Sequence, residues 1–588
     1  MNKVAGGSFI IHDIDFQRVV TPEDFTEEHR MIAQTTEDFV AGELAPQEEQ
    51  LEKLNYDLTI EMLRKVSEIG LLSADVPEQY GGLGLDFASS VLITEKMAKA
   101  SSFSMAFGGQ TGIGSLPIVF FGTDRQKKQY LPALMSGEKI ASYALTEASA
   151  GSDALSAKTT AKLSEDGKYY MLNGTKQFIT NAGFADIFIV YAKVNGTDFS
   201  AFIVERTMDG VQIGPEEKKM GLKGSSTCSL VFDDVKVPVE NLLGEVGKGH
   251  VVALNILNIG RFKLAAMSLG ISKDALESTV KYANERFQFG RKISSFPLIG
   301  KKLAEMNTKM YVLESMVYLT VGLLDEGLSE LDHSSPDVMR QSAKAIAQYA
   351  LESSINKVFG SETINFVADE GVQIHGGYGY IQDYRIERIY RDCRIYRIYE
   401  GTNEINRLLI PGILIKRALK GELELMQKVT ELQSELQQFV PVHVFEGILE
   451  QETYLIAMAK KICLMALGQS YQKYQSMLEQ EQEICSHLAD IMINIYAMES
   501  ALLRTKKLIA RIGEAKSQNA IHMTIIFIHE GFDQIEGWAK EILSALKFGD
   551  LQAQLSILSK LTSKSPLDTI ELKRQIAKRV IESGKYVV

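Results

Sequence analysis

The chain has 588 residues, 45% of them hydrophobic and 23% charged, with a formal net charge of −12 at pH 7. That length is enough for three or four domains, and the composition is that of an ordinary globular protein. The acidic balance argues against a nucleic-acid protein that works by counterion release.

Cys228, Cys393, Cys463 and Cys485 form no CxxC pair, and nine histidines give no HExxH. Neither a disulfide framework nor a metal site is expected, which suits a reducing compartment. The N-terminus, MNKVAGGSFIIHDIDF, carries acids early and lacks a basic region followed by an apolar core, so it does not read as a signal or transit peptide. No uninterrupted apolar run approaches the roughly 18 residues of a membrane span. A cytoplasmic protein is expected.

Residues 1–20 read as a short extended arm. Thr21 and Pro22 open a helical region, with Glu23 and Asp24 near its positive end. Apolar residues keep helical spacing through about residue 140 (Ile60, Leu63, Ile69), with breaks at Pro77, at YGGLGLD (80–86) and at Pro132, so 1–140 reads as an all-α domain. Within it, FGGQTGIGSLP (107–117) carries Gly108, Gly109, Gly112 and Gly114. Each glycine inside a helix costs about 1 kcal/mol relative to alanine, so several need a reason. Close packing against a neighbour is one; a slot left open for an alkyl chain is the other.

Residues 141–245 switch to strands: FADIFIVYAKV, DFSAFIVER, VQIG and CSLVFDDVKVP are β-branched or aromatic runs between turn residues, and Pro238 stops the sheet. GEVGKGH (244–250) has no Ser or Thr after its lysine, and no G-x-G-x-x-G stands between a strand and a helix, so neither a P-loop nor a Rossmann site is read. Residues 246–412 are helical again and end at Pro411-Gly412. Residues 413–444 form a charged connection, and 445–588 a further helical block. Its last segment sets Leu572, Ile576 and Val580 beside Lys573, Arg574, Lys578 and Arg579. That is a solvated helix face or a face for an anionic membrane surface. The fold class is α+β, mostly α.

The most informative stretch is 371–412. Arg385, Arg388, Arg391, Arg394 and Arg397 recur every third residue, a spacing that drifts around a helix, and acids are interleaved, so internal ion pairs are expected. Further on, Glu400 stands between Tyr399 and Gly401, with Thr402 as a helix N-cap ahead of Ile405, Leu408 and Leu409. A carboxylate among apolar neighbours at a helix mouth is pushed toward the pKa of a base working near neutrality.

QIHGGYGY, RIYRIYEGTNEI, LTEASAGSD, NGTKQFITNAG and ERFQFGR all occur in this chain, in one order. Together they resemble the acyl-CoA dehydrogenase family over residues 20–412; GEVGKGHVVALNILNIGRFKLAA and the long tail look most like its very-long-chain branch. The resemblance implies an N-terminal α domain, a middle β-domain, a four-helix C-terminal domain and an extra helical domain. It implies FAD-dependent desaturation of long-chain acyl-CoA in β-oxidation, with electrons passed to electron-transferring flavoprotein, and a homodimer. It makes Glu400 the base, with Tyr399 and Gly401 flanking the thioester and Ser152, Asn258 and Arg261 on the substrate side. The same resemblance puts FAD against the loop 143–152 (Tyr143, Leu145, Thr146, Gly151, Ser152), against Phe178, Ile179 and Thr180, and against Arg286, Gln288 and Phe289. It adds Gln373, Gly376 and Gly377 from a neighbouring subunit, and Thr402, Asn403 and Glu404 at the helix mouth. The glycines of 107–117 fall where the family lines its acyl pocket. Ala148 stands where proline is usual, and Gly300 where a glutamine would help to hold FAD. An acyl-CoA oxidase and a non-catalytic assembly protein of the same fold are the alternatives.

Overall fold

The computed structural model describes residues 4–588 apart from 333, 336 and 548. The N-terminal arm is not extended. A 3-10 turn, Ser8–Ile10, buries Phe9 and Ile10. Gly7 N donates to Glu352 Oε1 at 2.6 Å, and Arg417 Nη1 donates to Gly6 O at 2.7 Å. At Thr21-Pro22 there is only the 3-10 turn Pro22–Asp24. The first α-helix begins where Thr26 accepts a hydrogen bond from His29 N.

The helical domain comprises α1 (Glu27–Phe39), α2 (Glu48–Leu51), α3 (Tyr56–Glu68), α4 (Phe87–Met97), α5 (Phe103–Gly108), α6 (Leu116–Phe121) and α7 (Asp124–Met135). Asn55 caps α3 and Asp86 caps α4, each accepting from an orphan amide of the first turn. Pro132 lies inside α7 rather than breaking it. The burial of Leu131 and Leu134 on that turn outweighs the roughly 3 kcal/mol that an internal proline costs.

The middle domain is a sheet of β1 (Ala141–Ala144), β2 (Thr160–Leu163), β3 (Tyr169–Thr180), β4 (Ile187–Val194), β5 (Asp198–Glu205), β6 (Val211–Glu216), β7 (Thr227–Pro238) and β8 (Leu242–Leu243). Its order is β6-β7-β3-β2-β4-β5-β8, with β1 joined parallel to β4. The sheet therefore resumes past Pro238. β3 runs straight through Asn173-Gly174, a pair that reads as a turn in isolation. Its pairing with β7 shifts register at Leu172/Gly174 and again at Lys176/Ile179. The second bulge re-aims Phe178, which takes φ +60° and stands 57% exposed.

Next come α8 (Gly249–Glu285), a two-stranded hairpin β9 (Phe287–Gln288) and β10 (Arg291–Lys292), α9 (Pro297–Ser329), α10 (Val338–Ala347), α11 (Ala350–His375), α12 (Arg385–Cys393) and α13 (Asn403–Leu419). α11 packs against α8, α9 and α13. Among the described residues α8 alone is long and apolar enough to cross a membrane, but 67% of its most apolar window is buried among the other helices. α13 runs through Pro411, which is buried together with Ile410 and Leu414. The arginine repeat breaks into internal pairs: Arg385 with Glu48 (2.6 Å) and Asp274 (2.7 Å), Arg388 with Glu48 (3.0 Å), and Arg391 with Glu387 (2.5 Å).

The C-terminal block is α14 (Leu425–Leu436), α15 (Glu450–Tyr474), α16 (Gln482–Ile512), α17 (Gln518–Leu546), α18 (Leu551–Leu561) and α19 (Thr569–Ser583). α16 lies on α9 and α13, and α19 on α9 and α17. Arg504 of α16 fastens the junction, pairing with Glu314 (2.8 Å) and Glu23 (2.6 Å). Removing one partner of such a buried set costs about 3–5 kcal/mol, because a charge is left bare. The basic helix α19 does not offer an apolar face to a membrane. Ile576, Ala577 and Val580 are buried, and Lys573 pairs with Glu305 and Glu530.

Candidate active site

Glu400 follows a 3-10 turn, Arg394–Arg397, and takes φ +57°; Gly401 follows at +79°. A left-handed conformation costs a non-glycine residue of order 1 kcal/mol or more, so the surroundings must hold it. They do so through carbonyls. Arg261 Nε donates to Glu400 O at 3.0 Å, Asn406 Nδ2 to Gly401 O at 2.9 Å, and Lys357 Nζ to Gly401 O at 2.7 Å. Thr402 then starts α13 by accepting from Ile405 N at 3.2 Å.

This turn lays the Glu400 carboxylate against α8 at Gly260. A Cβ built on Gly260 would stand 2.7 Å from Oε2 and 2.9 Å from Cδ. Oε2 is buried and has no hydrogen-bond partner. Burial pushes the carboxyl up to about 7, against the pull of Arg261 and Lys357. A buried oxygen left without a donor is costly. Here it leaves a base, half ionised near neutrality, free to take a proton.

Three elements close around it. Tyr143, at the end of β1, is buried, and both that burial and the Glu400 charge push its phenol well up. Tyr399 stacks on Tyr396 with centroids 5.5 Å apart, and its hydroxyl lies 3.7 Å from Met105 Sδ on α5. α5 leads into a π-helical turn, Gly109–Gly114. The four glycines divide there. Gly109 and Gly114 are packed, a built Cβ meeting Asn181 Nδ2 and the Ala141 Cβ at 2.7 Å each. Gly108 and Gly112 face space, with nothing within 4 Å.

The loop after β1 is anchored from below. Leu145 O accepts from Lys176 Nζ at 3.1 Å, and Thr146 O accepts from Gln177 N at 2.9 Å. Lys176 is fully buried and pairs with Glu147 at 2.7 Å; burial draws its ammonium down to about 8. Glu147 also accepts from Thr159 Oγ1 and Lys158 N, at 2.6 Å each. Gly151 and Ser152 at the end of the loop are exposed, and Thr146 and Thr180 are half-buried, while Leu145 and Ile179 are buried.

Arg286 and Gln288 lie apart from that cluster. They line a cavity of about 450 Å³ with Gly376, Gly377, Tyr282, His375 and Tyr378, and none of the residues around Glu400 lines it. Side chains at Gly376 and Gly377 would meet nothing, so the backbone there is open to close approach. Phe289 is 92% exposed. Gln373 is exposed on the last turn of α11, and Glu404 on the first turn of α13.

The structure adds detail at three positions. Asn258 and Arg261, which the resemblance sets near the CoA portion, are both buried, with Arg261 Nη1 on Asn258 Oδ1 at 3.1 Å and Arg261 Nε on Glu400 O. Asn403 turns inward to Lys357 (2.7 Å) and Glu362 (3.0 Å) instead of outward at the helix mouth. Gly300 has a steric neighbour: a Cβ there would lie 3.3 Å from Ala577 of α19, so the C-terminal block occupies the room a longer side chain would need. Sequence reasoning missed Gly260, Lys357 and the Glu147–Lys176 pair. Gly260 and Glu147 sit inside quoted motifs, yet their roles depend on elements far away in the chain.

The chain combines a buried carboxylate held near neutrality, an anchored loop after β1 and an exposed aromatic on a bulged strand. Those parts are the ones a flavin-dependent dehydrogenase needs. The chain belongs to the acyl-CoA dehydrogenase family. Family models match in chain order: the acyl-CoA dehydrogenase N-terminal domain at 26–138, the middle domain at 142–235, the C-terminal domain at 247–414, and a further acyl-CoA dehydrogenase C-terminal domain at 458–560. A probable acyl-CoA dehydrogenase of Bacillus subtilis is 54% identical over 99% of this chain and 98% of its own. The human mitochondrial very long-chain specific acyl-CoA dehydrogenase is 41% identical over 63% of this chain and 54% of its own. The crystal structure of an acyl-CoA dehydrogenase from Bacillus anthracis complexed with FAD superposes with a TM-score of 0.98, at 53% identity and over the whole of both chains.

FAD is the cofactor, and the residues present suit it. The 145–152 loop has its inner carbonyls satisfied and its outer face open, Phe178 is free to cover a ring, and Arg286 faces a cavity that glycines keep clear.

Proposed function

We propose that the enzyme desaturates long-chain acyl-CoA thioesters in fatty-acid β-oxidation and hands its electrons to electron-transferring flavoprotein. One observation carries the reading: the near-neutral carboxylate of Glu400 has an unpartnered oxygen, and its neighbour Tyr399 touches Met105 just ahead of the turn whose Gly108 and Gly112 leave open space. Glu400 takes the proton from the carbon next to the thioester carbonyl. Its left-handed backbone is locked from behind by Arg261, so its own amide is free to polarise that carbonyl. Tyr399 and Tyr143 keep water from the carboxylate, which holds its pKa up. Bound FAD supplies the hydride acceptor that no side chain can be.

We further propose a homodimer. Phe287, Phe289, Leu298 (76% exposed) and Tyr380 (85% exposed) are exposed on the segments that carry Arg286 and Gly377, apolar surface of the kind a second copy would cover. Four free, buried thiols suit the cytoplasm as its compartment. With the apolar face of α19 used internally, membrane contact through the C-terminal block would rest on exposed basic groups such as Arg574 and Lys578, and flotation with anionic vesicles tests it.

The deciding experiment is anaerobic titration of the yellow holoenzyme with acyl-CoAs of rising length, following flavin bleaching. Long chains should bleach best. Glu400→Gln should keep FAD and bind acyl-CoA without bleaching. Near-normal bleaching by that variant, or no bleaching of the wild type by any chain length, refutes the reading. Reduction of added electron-transferring flavoprotein, against oxygen uptake, separates a dehydrogenase from an oxidase.

A further inference from the structure

The catalytic turn rests on a buried lysine that no motif contains. Lys357 lies in the first third of α11, fully buried, with Nζ 2.7 Å from Gly401 O and 2.7 Å from Asn403 Oδ1. Asn403 is itself held by Ser361 and Glu362, and Glu362 by Arg407, which reaches Asp490 of α16 at 2.8 Å. One chain of polar contacts therefore runs from the catalytic turn to the C-terminal block. We propose that Lys357 is a positioning residue: it holds the Glu400–Gly401 peptide in its left-handed turn and keeps a positive charge beneath the catalytic carboxylate.

Two cations divide the work. Arg261, from α8, binds the carbonyl of Glu400; Lys357, from α11, binds the next one. Each approaches from behind the turn, so the side chain of Glu400 is left bare toward the site. The groups facing this pair are Tyr143 on β1 and Tyr399, which are neutral, Arg261, and the acids Glu362 and Glu404. Burial drives Lys357 down to about 7 as it drives Glu400 up to about 7, and the charge of each favours the charge of the other. Take the ammonium away and Glu400 must ionise with Arg261 alone, so its pKa rises.

The inference rests on the proposed reaction, and the test separates the two. Purified Lys357→Met, Lys357→Arg and Asn403→Ala holoenzymes are compared with wild type for kcat, KM and the pH profile of kcat. For Lys357→Met, kcat should fall about 10–100-fold with KM within about threefold, since the carboxylate and its amide are displaced while the binding surface is kept. Its acid limb should move up by about one pH unit. Lys357→Arg should return the limb toward its wild-type position. Asn403→Ala keeps the charge and loosens the turn, so it should lower kcat without moving the limb. A limb in Lys357→Met that coincides with wild type overturns the inference while the functional reading stands. If Lys357→Met does not fold, an acid limb displaced by about one pH unit in Asn403→Ala, which keeps the ammonium, overturns it as well. A wild type that dehydrogenates no acyl-CoA overturns both.

Discussion

Gly260→Ala isolates geometry from stability. The added methyl would stand 2.7 Å from Glu400 Oε2, 2.9 Å from Cδ and 3.1 Å from Oε1. Ordinary carbon–oxygen contact lies near 3.4 Å, so the carboxylate must retreat by roughly half an ångström or more. The helix has no reason to move, because the clash is with the free end of a side chain. Alanine inside α8 should even gain about 1 kcal/mol over glycine. A displacement approaching 1 Å of a reacting group costs about 100-fold in rate. The variant should therefore melt at or above the wild-type temperature and carry a full complement of FAD, with kcat down about 10–100-fold. The assay is dye-coupled turnover of a long-chain acyl-CoA, beside calorimetry and the flavin absorbance ratio. A variant with kcat within twofold of wild type would show that the carboxylate is not seated against α8 when it works. Loss of activity together with loss of stability would show instead that the helix had moved.

The remaining tests address the slot, the loop and the pH response. Gly112→Leu or Gly108→Leu should shift the preferred acyl length downward, with activity on short chains kept; an unchanged chain-length profile refutes the slot. Lys176→Met strips the partner from buried Glu147, so it should lower the melting temperature by the equivalent of about 3–5 kcal/mol and speed FAD release; adding Glu147→Gln should recover part of both. Glu352, between the N-terminal arm and α16, is raised to about 7 by burial. The native state thus holds a proton there that the unfolded chain has lost. That contribution is full below about 4.5 and fades as the pH rises through about 7, so roughly 3 kcal/mol separates the two conditions. Glu352→Gln, which keeps the acceptor for Gly7 N, should match wild type near pH 4.5 and be the more stable at pH 8 by differential scanning calorimetry; equal melting at both refutes it.

Residues 371–412 told most of what could be read in one dimension. Glu400 among Ile398, Tyr399 and Gly401, with Thr402 as cap, carried both a helix start and a base. Strands β4, β5 and β7 were legible because their β-branched runs are continuous. β3 was not, because Asn173-Gly174 imitates a turn and its pairing with β2 on one side and β7 on the other keeps it extended. Pro132 and Pro411 read as stops, since local cost is visible in a sequence and burial is not.

The residues that set the chemistry of Glu400 come from elsewhere: Gly260 and Arg261 stand about 140 positions before it, and Lys357 some forty. Local patterning marked most of the helices and strands and a carboxylate at a helix mouth, and the resemblance of the motifs to a known family put Glu400 forward as the base, because periodicity, caps and motifs are properties of neighbours in the chain. Tertiary packing alone decided that α8 brings a glycine to the carboxylate and α11 a lysine to its backbone. Burial and Coulomb interaction depend on distance in space, and distance along the chain does not report it.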